Sequence, residues 1–183
     1  MYRIGTWESL FPNAEIKYIH LTRGFAQTIN GLMDGWQHPP GFHSYDMETA
    51  GCKLHIKGYK NSKWWKFDLP PNWKQTINLP LEQVCLNQWL QANRHILREA
   101  KQPLTIKFED FLENPDKQLR KVSTYLGIKK ISSAHLPKVM TTVNPKAYRW
   151  HKRKSLLLKL SRDNKVKFMM NKLNYSMNPK TWK

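Results

Sequence analysis

The sequence predicts an α/β fold built on a parallel sheet, from three observations. A β-rich run over residues 16–22 (IKYIHLT) is followed by Arg23 and Gly24, and helix-compatible spacing of Phe25, Ile29 and Leu32 comes next. A second short β run over 104–108 (LTIKF) precedes another helical pattern. Between the two runs lies the longest helical pattern of the chain, 81–100. Strands alternating with helices pair in parallel, and open sheets of this kind take their ligands beyond the carboxyl ends of the strands. At 183 residues a single domain is the expectation, with enough chain to bury a core.

The elements follow in order. Residues 6–10 read as the tail of a helix that leads into Phe11-Pro12-Asn13. The run over 16–22 is too short for a helix and reads as a strand buried mostly on both faces. Arg23 then falls at the strand's carboxyl end, where a guanidinium offers a rigid fork to phosphate or carboxylate. Arg23 reads equally well as half of a structural ion pair with Asp or Glu. Residues 38–73, with their Pro and Gly residues, form a long surface excursion. Within it Lys63-Trp64-Trp65-Lys66-Phe67 interleaves cations and rings, and is read as a loop anchored on the core by its aromatics rather than as a base-stacking platform.

The helix over 81–100 presents Leu86, Trp89, Leu90, Asn93, Ile96, Leu97 and Ala100 as its core stripe. Asn114 caps the next helix, Pro115 occupies its first turn and Gly127 stops it. Residues 131–148 are irregular, with Pro137 and Pro145. The cluster Arg149-Trp150-His151-Lys152-Arg153-Lys154 opens a basic helical region over 149–175, with Ser155 as the expected cap and a kink near Asp163-Asn164.

Lys and Arg outnumber Asp and Glu by 31 to 13, a net charge of +18, so the partners are expected to be anionic: nucleotide phosphates, sulfated substrates, nucleic acid or an acidic membrane surface. Cys52 and Cys85 are too few for a disulfide framework and lack metal-site spacing, and the seven histidines show no ligand pattern, so no metal is expected. No leader pattern and no apolar run of membrane-spanning length occurs, which gives a soluble, cytoplasmic expectation.

Four segments, in this order and spacing, resemble the PAPS-dependent sulfotransferase family of bacterial type: residues 11–36, 69–97, 104–128 and AYRWHKRK at 147–154. The resemblance implies a P-loop-nucleotide-hydrolase-like three-layer sandwich with a parallel sheet, incomplete at its N-terminus. It implies transfer of a sulfuryl group from 3′-phosphoadenosine 5′-phosphosulfate to an acceptor hydroxyl or amine. Arg23 matches the family arginine on the cofactor's 3′-phosphate, and Arg149, Trp150 and Lys152 match the late segment that closes over the nucleotide.

The match has departures. The family serine falls at Gly31, with neighbouring Asn30 as a substitute; Gly24 replaces an acidic or Asn residue; Phe108 replaces a tyrosine. Glu109 and Asp110 are read as braces of the turn, and no catalytic residue is assigned. The family's glycine-rich phosphosulfate loop would precede the first strand, so the expectation is a fragment with impaired turnover, completed by an upstream polypeptide. The alternative is a non-catalytic basic module for nucleic acid or another polyanion.

Overall fold

A computed structural model describes residues 2–39, 41–135 and 147–182. It is a mixed α/β structure, about 51% helical, around a two-stranded parallel sheet. The order is α1 (Ile4–Leu10), β1 (Ile19–Thr22), α2 (Phe25–Trp36), a hairpin of β2 (Ser44–Asp46) and β3 (Trp64–Lys66), and α3 (Leu81–Glu99). Then come β4 (Leu104–Lys107), α4 (Phe108–Glu113), α5 (Pro115–Leu126), α6 (Lys154–Leu160) and α7 (Asn164–Lys172). Strands β1 and β4 pair in parallel with Ile19 opposite Leu104 and Thr22 opposite Lys107. This register puts the ends of both strands, and hence Arg23 and Phe108, at one edge.

The strand β1 is not buried on both faces. His20 and Thr22 are buried, whereas Ile19 and Leu21 are 43% and 59% exposed. The buried side meets α3, where the His20 ring contacts Asn93, and the Tyr175 hydroxyl beside Thr22. Among the described residues this parallel pair is all that forms of the expected open sheet.

One apolar cluster joins distant parts of the chain. Phe25, Ile29 and Trp36 of α2, Val84, Cys85 and Trp89 of α3, and Leu157, Val166 and Met170 of α6 and α7 all contribute. Each large apolar side chain buried this fully is worth about 1.5–3 kcal/mol. The stretch 38–73 enters the same cluster through Met47, Leu54, Ile56 and Trp65, so it is no mere surface excursion. Its anchor is aromatic: Trp65 packs edge-on against Trp36 at 5.1 Å and Trp73 at 6.0 Å. Gln88 fastens the junction, accepting from the Trp36 indole at 3.0 Å and donating to the carbonyls of Lys66 and Asp68.

Local signals place the α5 boundaries. The Asn114 side chain accepts from the Lys117 amide, Pro115 starts the helix, and Gly127 ends it in the left-handed conformation. The basic region behaves differently. A 3₁₀ turn over Arg149–Arg153 runs straight into α6, which begins at Lys154, so Ser155 caps nothing. The expected kink is a full break, and Asp163 caps α7 through the Lys165 amide. Of the irregular stretch expected over 131–148, residues 136–146 with Pro137 and Pro145 lie outside the described residues.

No helix among the described residues is long and apolar enough to cross a membrane. No group of three metal-ligating side chains occurs among them either.

Candidate functional site

The chain turns from β1 into α2 at Arg23-Gly24, and the turn is braced by one carboxylate. Glu109 Oε1 accepts from the Gly24 amide at 2.9 Å, and Oε2 accepts from the Tyr175 hydroxyl at 2.8 Å. A Cβ on residue 24 would come within 3.3 Å of that carboxylate oxygen, so glycine permits the close approach. Burial pushes the Tyr175 phenol up, and the nearby Glu109 charge pushes the same way against the hydrogen bond with Thr22. Tyr175 therefore stays a neutral donor.

Arg23, held by this turn, lays its guanidinium over the Phe108 ring at 5.0 Å from the centroid. Stacking on a ring face leaves the fork's edge donors unspent. No acceptor among the described residues holds that guanidinium by a hydrogen bond or ion pair. Burial lowers its pKa; the Glu109 charge counteracts this, and the Arg149 charge adds to it. Two guanidinium groups close enough to repel each other create a site that an anion would relieve.

The two arginines share a cleft of about 710 Å³. Thr28, Gly31 and Asp34 of α2 form one wall, and His38, Phe42 and Phe67 form the other. The second wall is pinned from below. Lys66 is fully buried, and its ammonium donates to the Pro39 carbonyl at 2.7 Å, the Ser44 hydroxyl at 2.8 Å and the Phe42 carbonyl at 3.3 Å. Burial lowers its pKa. Phe67 presses its ring on Gly35 so closely that a Cβ there would meet Phe67 Cζ at 2.1 Å.

The late basic segment is tied to α2 by Asp34. Lys152 reaches both of its carboxylate oxygens at 2.6 Å, Arg153 reaches one at 2.8 Å, and Arg149 lies at 3.7 Å. Burial pushes the Asp34 carboxyl up, but the hydrogen bonds from Lys152 and Arg153 outweigh it and hold the group below the usual carboxylate range. Arg153 also donates to Asn30 Oδ1 at 2.6 Å.

The five residues expected at a nucleotide site thus separate. Arg23 and Arg149 face the cleft together. Asn30 is buried against Arg153, and Lys152 is engaged by Asp34. Trp150 lies in the core at 1% exposure, its indole N–H donating to the Trp182 carbonyl at 2.9 Å. Sequence reasoning missed Asp34 and Arg153. The available signal was charge: Asp34 is the only acid in a twelve-residue helix of a chain with net charge +18. Thr28 was missed too; its hydroxyl lies on the cleft wall and donates to the Gly24 carbonyl at 3.0 Å.

Comparison with protein-family models, with curated proteins and with solved structures gave no match to this chain.

Proposed function

We propose that the chain is a sulfotransferase-type domain, part of a P-loop-like three-layer sandwich, whose cleft grips the 3′-phosphate of 3′-phosphoadenosine 5′-phosphosulfate. One observation carries the reading: two guanidinium groups, Arg23 and Arg149, meet at the carboxyl end of a parallel strand, and Arg23 has no acceptor among the described residues. The pair suits a phosphate in charge and in donor geometry. Asn30, Lys152 and Trp150 hold the wall and the core behind the pair. When bound, the nucleotide would supply the sulfuryl group for an acceptor hydroxyl or amine. This chain's own residues would fix its phosphate, and no residue is assigned to the transfer step. A reducing, cytoplasmic setting agrees with the free thiols of Cys52 and Cys85.

Titration calorimetry with adenosine 3′,5′-bisphosphate tests the assignment. Saturable binding is expected, weakened at least about tenfold by Arg23→Ala, since a charge-assisted hydrogen bond contributes ~1.5–3 kcal/mol. Unchanged affinity removes Arg23 from the site. The net charge of +18 favours a second reading, a non-catalytic polyanion-binding module. Salt-sensitive, sequence-indifferent DNA binding without nucleotide binding would select it.

A further inference from the structure

Away from the cleft, α3 and α7 pack side by side and leave a groove of about 680 Å³ between them. On α3, Arg94, Leu97 and Arg98 follow three- and four-residue spacing and share one exposed face. On α7, Lys165, Phe168 and Lys172 do the same. Each helix therefore presents an apolar residue flanked by two cations. Leu97 is 41% exposed and Phe168 62%, and Leu90 and Met169 form the floor between them. The Lys172 ammonium sits 5.6 Å from the Phe168 ring centroid, so charge and ring lie at the same level of the surface. No carboxylate lines the groove among the described residues; Glu99, beside it on α3, pairs with Arg98.

We propose that this face docks on an anionic lipid bilayer, with Phe168 and Leu97 entering the acyl boundary and the four cations seated among the headgroups. Charge complementarity selects the occupant. Four cations against a single adjacent acid, the Glu99 that pairs with Arg98, leave the groove net positive, so it repels a basic partner and attracts a negative surface. Among anionic partners, the alternation with Phe168 and Leu97 selects lipid. A phosphate backbone would leave both side chains in water, whereas a bilayer interface receives apolar groups and cations at adjoining depths. A second copy of the chain is disfavoured by its own charge of +18.

Co-sedimentation of the full chain with vesicles tests this, using phosphatidylcholine alone and phosphatidylcholine with 30% phosphatidylserine. Binding is expected only to the mixed vesicles. It should weaken by at least about fivefold in each of Lys165→Glu and Lys172→Glu, since each removes a cation and adds an acid, and fall in Phe168→Ser with the charge unchanged. Lys129→Glu/Lys130→Glu, which alters charge outside the groove, should retain most of the binding. All these positions are exposed, and circular dichroism verifies folding. The proposal is overturned by any of three results. One is equal sedimentation with both vesicles, or with neither. Another is the same loss in the groove and the Lys129/Lys130 variants. The third is a groove that loses DNA binding on charge reversal while vesicles stay unbound.

Discussion

His20 shows how one side chain couples burial to pH. Asn93 donates its amide N–H to the Trp89 carbonyl at 2.8 Å, which turns its oxygen toward His20 Nε2 at 3.0 Å. Nε2 must then carry the proton, and Nδ1 is left bare, buried and without a partner among the described residues. A second proton would go to Nδ1, where nothing accepts it. Burial accordingly lowers the His20 pKa from its ordinary 6.5, against the smaller opposing effect of the Asn93 hydrogen bond. The unfolded chain takes up this proton below about pH 6.5 and the folded chain does not. Stability is therefore lost as the pH falls below 6.5, until the folded-state pKa is reached, and is regained on the way up. Thermal denaturation between pH 7.5 and 5.5 should show this slope, at most roughly 3–5 °C per pH unit. His20→Gln, which keeps a donor for Asn93, should flatten it. An identical slope in the variant would assign the acid sensitivity elsewhere.

At the scale of elements, the 3₁₀ turn over Arg149–Arg153 depends on α2 for its position. Asp34 accepts from Lys152 and Arg153, and these contacts close loops of more than a hundred residues. In Asp34→Ala, Asn30 still holds Arg153, but Lys152 loses its acceptor. The variant is expected to lose about 1–3 kcal/mol, a fall in Tm of roughly 2–10 °C. Limited trypsin digestion should cut faster at 149–154 than in the parent. Unaltered Tm and cleavage would mean that the burial of Trp150 and the Arg153–Asn30 bond fix the turn without Asp34. The same contacts explain what was legible in the sequence. The Asn114-Pro115 start, the Gly127 stop, the strand–Arg23–helix order and the length of α3 all rest on signals within a few residues. The hairpin pairs Ser44 with Lys66, across a stretch whose composition reads as loop. Leu97 fits the apolar spacing of α3 yet is 41% exposed, because it lines the open α3–α7 groove above the buried Leu90. Periodicity gives a stripe's width, and only the packed neighbour decides where burial ends.

Across the whole molecule the charge balance sets the largest field. Several acids of the described surface already have cations: Glu8 with Lys101, Asp46 and Glu48 with Lys63, and Asp34 with three partners. Exposed pairs of this kind contribute about 0–1 kcal/mol each. The excess of +18 is not so compensated. Unfolding spreads these like charges apart, so self-repulsion favours the unfolded chain. Salt screens the distant charges first, because contacts under 4 Å lie well inside the screening length of about 10 Å at 0.1 M. Raising NaCl from 10 to 200 mM should therefore raise Tm by several degrees, and a flat or falling Tm would show that the close pairs dominate. The same logic separates two kinds of ligand. A polyanion such as heparin neutralises the field wherever it binds and should raise Tm equally in Arg23→Ala. Stabilisation by adenosine 3′,5′-bisphosphate should fall sharply in that variant, because its two phosphates act at one place, through the fork that holds them, rather than on the field as a whole.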